Sequence, residues 1–233
     1  MENAPNKGRM YVQFAFFKTL PEWRRLPLTE KRTGKEEFAS VFRKYEDMIV
    51  ARSYSLVGIR GDVDLLIWRA SQTLDRLQEM HSELLKTGIG QYMINPYLYF
   101  AMTKRSQYID AHIHPDQDGA RLQVRPTDAK YLFVYPFVKT RAWFALSSEE
   151  RQKMMTAHIE TGNRYPSVKL NTTYSFGLDD QEWVVAFETD EPADFLDLVM
   201  ELRGTAASSY TLRDTPIFTC VQKPIEEALD LIG

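Results

Sequence analysis

The chain has 233 residues, 44% hydrophobic and 26% charged, a globular composition that excludes disordered, collagen-like and heptad-repeat classes. Its 29 basic and 32 acidic residues leave a net charge of -3, which argues against a global electrostatic grip on nucleic acid. Cys220 is the single cysteine, so disulfide staples and cysteine-rich zinc sites are excluded and a reducing compartment fits.

At ~150 residues per domain this length predicts one large or two small domains. The amino-terminal stretch has no apolar run of signal-peptide length, and Tyr11 to Phe17 is far short of the ~20 residues a membrane helix needs. The expectation is a soluble, cytoplasmic protein with no membrane partner.

In chain order, Met10 to Phe17 reads as a strand and Lys35 to Ile49 as a helix. Tyr54 to Trp68 reads as strand, tight turn, strand, with Gly58 supplying the permissive turn backbone. A helical stretch, Thr73 to Leu85, and a strand-like run, Tyr92 to Met102, complete a βαββαβ unit. The polar, aperiodic segment from Thr103 to Lys130 reads as a linker.

The same order then repeats. Tyr131 to Val138 predicts a strand, Ser148 to Glu160 a helix, and Tyr174 to Phe187 a second hairpin turning at Gly177. In the helical stretch Ala193 to Leu202, Phe195, Leu198, Val199 and Leu202 recur at helical spacing. Tyr210 to Val221 predicts a last strand, disturbed at Pro216. The predicted fold class is therefore α+β: tandem ferredoxin-like units with antiparallel sheets, of the dimeric α+β barrel type. The predicted domains are 1–110 and 131–233, joined by 111–130. No glycine-rich phosphate loop, HExxH or GxSxG motif is present.

Two residues stand out before any comparison. Ser147-Ser-Glu-Glu150 is a capping-box signal that places His158 about three turns into a helix, with Met154 and Met155 on its face. An imidazole there suits a core position or a neutral nitrogen ligand for haem iron. Tyr135 ends an apolar strand just before Pro136, where a tyrosine commonly packs with its hydroxyl at the rim.

Tyr135-Pro-Phe-Val-Lys139, Trp143, Arg151-Gln-Lys-Met154-Met155-Thr-Ala-His158, Gly162-Asn-Arg164-Tyr165, Gly177-Leu-Asp-Asp180, Glu182-Trp183 and Glu201-Leu-Arg203 occur in that order. In this ensemble the sequence resembles the chlorite dismutase family, and within it the peroxide-dependent coproheme decarboxylase branch. The resemblance is clear over residues 121 to 220, while the first half matches mainly in its repeat.

The resemblance implies oxidative decarboxylation of coproheme (iron-coproporphyrin III) to haem b, with hydrogen peroxide as oxidant. The iron porphyrin would be substrate and redox cofactor together, in a homo-oligomer, pentameric by family. His158 would be the proximal iron ligand, and Tyr135 the redox-active phenol that attacks the propionates. An unperturbed phenol has a pKa of ~10 and so arrives protonated at neutral pH.

The arginine that chlorite dismutases carry above the iron falls here on Leu170, or on Asn171 if counted forward from His158. Neither is charged, which removes a cationic partner for an oxychlorine anion. Ala111-His112-Ile113 resembles a linker motif that makes His112 the acceptor of the peroxide proton, with His114 a second candidate. Arg121, Arg125, Lys139, Arg203, Ser208 and Ser209 would bind propionates through guanidinium, ammonium and hydroxyl donors. Trp143 suits a pocket wall or a core position, and His81 is expected to be structural. Conversion of chlorite to chloride and dioxygen, and non-catalytic haem binding, are the alternative functions.

Overall fold

The computed structural model describes residues 8–106, 108 and 122–233. The first half forms β1 (Tyr11–Thr19), α1 (Leu28–Glu46), β2 (Val50–Ser55), β3 (Leu65–Ser71), α2 (Leu74–Lys86), β4 (Met93–Ile94) and β5 (Leu98–Met102). The second forms β6 (Tyr131–Lys139), α3 (Arg141–Ala145), α4 (Ser148–Asn163), β7 (Lys169–Tyr174), β8 (Trp183–Thr189), α5 (Pro192–Arg203), β9 (Thr211–Arg213), β10 (Phe218–Gln222) and α6 (Ile225–Asp230). The fold is the α+β, ferredoxin-like duplication that the sequence repeat predicts.

The two halves share their register. β1 and β6 each have nine residues, with Tyr11 opposite Ser71 in one half and Tyr131 opposite Thr189 in the other. Phe17 opposite Leu65 corresponds in the same way to Phe137 opposite Trp183. The hairpin turns match too. The carbonyl of Leu56 accepts from the N–H groups of Ile59 and Arg60, and that of Ser175 from Leu178 and Asp179. Gly58 (φ +78°) and Gly177 (φ +70°) lie two residues into these turns. A side chain is strained in that left-handed backbone, so glycine marks both positions.

Eight antiparallel strands close into a barrel in the order β10-β2-β3-β1-β5-β7-β8-β6, with β6 pairing back to β10. The halves meet at two seams, Ser55 opposite Val221 and Met102 opposite Tyr174. Closure leaves no unpaired sheet edge in this ring. Strand alternation then sorts the side chains. Phe14, Phe16, Trp68, Leu132, Val134, Val184, Ala186 and Phe218 fill the lumen.

On the outer face of the first half, Ala15, Phe17, Leu65 and Ile67 pack beneath Phe38 and Phe42 of α1 and Leu77 and Met80 of α2. Ile225, Ala228, Leu229 and Ile232 of the carboxy-terminal end join that same core.

The differences from expectation are local. α3 and α6 are too short for a periodicity signal and were not predicted. The first helix begins at Leu28, directly after Pro27, where proline's fixed φ suits a helix start. The run Tyr92 to Met102 is divided into β4 and β5 around Asn95-Pro96. The run Tyr210 to Val221 divides into the end of a 3-10 turn (Ala206–Tyr210), β9 and β10. No described helix is long and apolar enough to cross a membrane.

Candidate functional site

The second half differs from the first in how its outer face is covered. α1 buries Gly34, Phe38, Ala39, Phe42 and Tyr45 against its sheet, whereas α4 buries only Thr161. The Ser147–Glu150 capping box is fully formed and starts α4 as predicted, so the helix is well defined. It packs chiefly on α5 and on the 3-10 turn. On the face of β6, β7 and β8 beneath it, Phe133, Tyr135 and Phe187 are buried, while Phe137 and Val185 are half-buried and Leu170 is exposed.

Along β6, Phe133, Tyr135 and Phe137 point to this outer face while Leu132 and Val134 enter the lumen. Tyr135 pairs with Val185, which pairs in turn with Thr172. Phe187 lies between Phe133 and Leu170. The register therefore puts the two candidates on β7 on opposite faces of the sheet. Leu170 shares the Tyr135 face and is 41% exposed. Asn171 pairs with Ala186 on the lumen side, and its Nδ2 donates to Oε2 of buried Glu188 at 2.7 Å.

His158 is half-buried on α4, and its Nδ1 is buried without a hydrogen-bond partner among the described residues. Burial, aided by the nearby Lys139 charge, pulls its pKa down to about 4, so the imidazole is neutral at pH 7. Lys139 is itself buried. Its Nζ donates to the Ala207 carbonyl and stands 4.8 Å from the Trp143 ring centre and 5.2 Å from that of Phe137. Burial lowers the Lys139 pKa to about 8, against the pull of Glu182. Its ammonium is thus committed to the floor of the site beside His158. Trp143 is part of that floor, 2% exposed and 5.6 Å from the Tyr210 ring.

Tyr135 is 9% exposed and stacks on Phe187 at 6.1 Å between ring centres. Burial pushes its pKa well up, Asp214 adds to the rise and Arg203 opposes it. The phenol therefore stays protonated across the neutral range. Arg203, at the end of α5, is ion-paired to Asp214 at 2.5 Å.

The remaining predicted residues are less concentrated. Arg125 is exposed, and its carbonyl accepts from Lys169 Nζ at 2.6 Å, next in sequence to Leu170. Ser208 and Ser209 lie in the 3-10 turn beside Ala207, with the Ser209 hydroxyl donating to Ala206 at 2.8 Å. His112, His114 and Arg121 lie outside the described residues. His81 sits on α2, where Nδ1 meets Arg69 Nη2 at 2.7 Å, consistent with a structural position. Asp214 and Glu188 escaped notice in the sequence, since an acidic residue beside a turn or in a strand carries no signal of its partner.

One outer face thus gathers a neutral imidazole, a protonated phenol and an arginine around partly covered apolar wall. A closed barrel of two ferredoxin-like units with such a face on one half defines a dimeric α+β barrel protein. The family model described as Chlorite dismutase matches residues 31–223, and the chain belongs to the chlorite dismutase family.

It is 29% identical to a coproheme decarboxylase from Mycolicibacterium smegmatis over 231 residues, 97% of this chain and 96% of that protein. The chlorite dismutase of Candidatus Nitrospira defluvii, solved in complex with imidazole, is similar with a TM-score of 0.86 and 26% identity. That match covers 97% of this chain and 96% of the other. A heme-binding protein from Thermus thermophilus is similar with a TM-score of 0.81 and 26% identity, over 95% and 93% of the two chains.

Proposed function

We propose that the protein binds an iron porphyrin between α4 and the β6–β8 face and decarboxylates coproheme to haem b with hydrogen peroxide. The observation that carries this reading is Tyr135: a buried, protonated phenol on the same sheet face as the residues around His158. A chlorite-degrading or merely haem-carrying site has no need of it.

The residues fit the group. His158 offers a neutral imidazole with an unpartnered buried Nδ1, and neutral imidazole is the form that ligates iron. The half-buried Phe137 and Val185, with the more exposed Leu170, supply apolar wall for a flat macrocycle. Tyr135 and Lys139 are four residues apart on β6, roughly 13 Å at strand rise. That spacing is comparable with the breadth of a porphyrin and its side chains. Bound iron porphyrin would supply, with peroxide, the one-electron oxidant for the reaction.

In this reading His158 holds the iron and Lys139, a cation next to the imidazole, keeps electron density on the ring low. Arg203, Ser208 and Ser209 donate to substrate carboxylates, and Arg125 borders the Leu170 side. Each propionate loses CO2, one hydrogen from the carbon next to the ring, and two electrons. One peroxide accepts the electrons and leaves as two waters. Tyr135 gives up its phenolic hydrogen atom and then takes one from the substrate methylene. His112 takes the peroxide proton, and the single buried thiol of Cys220 has no part. The exposed Leu196 and Met200 on α5 suit a contact in a homo-oligomer, a pentamer by resemblance, and the cytoplasm supplies the reducing setting.

Coproheme-loaded protein titrated with peroxide, with products followed by mass, tests the proposal. Stepwise loss of two carboxyl groups is the expected result. Bleaching without defined products favours a haem carrier. Sustained dioxygen release from chlorite favours chlorite dismutase, a reading that uncharged Leu170 on the Tyr135 face opposes.

A further inference from the structure

β6 changes partner beside Tyr135. Val134 pairs with Phe218 of β10, whereas Val138 pairs with Arg213 of β9. Between these points three residues, Tyr135 to Phe137, face four, Asp214 to Ile217, so the second segment bows away from the strand. The Phe137 carbonyl accepts from the Glu182 N–H on the β8 side. By strand alternation the missing N–H of Pro136 is directed at the bowed segment, where no ladder bond is lost. Ile217, at the far end of the bow, packs into the Tyr135 cluster. Asp214, at the near end, has a side chain 16% exposed and pairs with the half-exposed Arg203.

This places two opposite charges at the phenol, and both act on it. Their roles differ. Asp214 is enclosed in the bow, where a carboxylate costs free energy unless it is paired. Arg203 ends a helix and carries five donors in a rigid fork, of which the contact with Asp214 uses Nη1. A largely buried acid holding a half-exposed arginine through one nitrogen restricts where the guanidinium sits and leaves its other donors for a second acceptor. The pair is close to neutral, so it recognises by geometry and adds little net charge.

We propose that Asp214 is a positioning residue that sets Arg203 to receive a substrate carboxylate beside Tyr135. This corner would then let the site tell a four-carboxylate porphyrin from its two-carboxylate product. The inference rests on the coproheme reading above. It assigns discrimination to the Arg203–Asp214 corner and only attachment to His158.

The test compares ferric coproheme and ferric haem b by Soret titration in peroxide-free buffer, so that no turnover is needed. In the wild-type protein the coproheme affinity exceeds the haem b affinity. Asp214→Asn, nearly isosteric, reduces that ratio about tenfold, the factor corresponding to about 1.4 kcal/mol, while the Soret position of each complex is unchanged. Asp214→Glu restores most of the ratio. With Arg203→Gln already present, Asp214→Asn has no further effect on it, because the acid acts through the arginine.

A wild-type ratio near one contradicts the coproheme reading itself. A clear wild-type preference that Asp214→Asn leaves intact overturns the positioning role alone. Should Asp214→Asn fail to fold, Asp214→Glu and Arg203→Gln carry the comparison. Equal ratios in wild type and Arg203→Gln would likewise overturn it.

Discussion

Tyr135 and Ala15 occupy the same place in the two halves of the barrel. Each is the fifth residue of a nine-residue strand, Tyr135 opposite Val185 and Ala15 opposite Ile67. At Ala15 the small side chain lets Phe38, Phe42 and the α6 residues close the first core completely. At Tyr135 the phenol is buried in a smaller cluster with Phe187 and Phe195, beside which Phe137, Val185 and Leu170 stay partly exposed. One half is therefore closed by its helices, while the other keeps partly exposed apolar surface where the site is proposed.

That asymmetry predicts where stability and binding separate. Leu229 is 1% exposed in the first core, and Leu229→Ala should cost about 2–5 kcal/mol from lost transfer energy and a cavity. Porphyrin affinity, measured where the variant remains folded, should be unchanged. Equilibrium denaturation and Soret titration check the two halves of this statement, and a parallel loss of both would show that the cores are not separate.

His158→Ala should weaken binding of ferric porphyrin and shift the Soret band of the complex. The fold should persist, since α4 buries little of its surface. Unchanged affinity and spectrum would mean that another residue ligates the iron.

Stability should fall as the apoprotein is acidified from about pH 6.5 toward 4. His158 and His81 both have folded pKa values lowered to about 4, first by burial and then by Lys139 and Arg69 respectively. The unfolded chain protonates its histidines near ~6.5, so between these values it binds more protons than the native state and stability rises with pH. Melting temperatures across this window check the slope. His158→Gln should flatten it, and an identical slope in the variant would show that His158 does not contribute.

Much of this was legible in the sequence, for physical reasons that can be named. Gly58 and Gly177 announced the repeated hairpin because few other residues tolerate that turn backbone. The Ser147–Glu150 box announced α4 because its hydrogen bonds are local. Tyr135 and His158 were singled out by neighbours in sequence.

What stayed hidden depends on distant pairing. Closure of the barrel through Ser55–Val221 and Met102–Tyr174 joins strand edges far apart in the chain. The choice between Leu170 and Asn171 is a matter of strand parity, and one residue of slip reverses it. Lys139 reads as a surface donor until the burial of its neighbours is known. Asp214 gained meaning only from the bow of its own segment away from β6.

The central claim is that Tyr135 relays the hydrogen atom. Tyr135→Phe removes one oxygen and should cost under ~1.5 kcal/mol in stability, leaving porphyrin binding through His158 intact. Single-turnover product analysis of the folded, coproheme-loaded variant with peroxide is the most direct measurement. The account predicts decarboxylation slower by orders of magnitude with affinity little changed. Haem b formed at close to the wild-type rate would contradict it and make Tyr135 a wall residue.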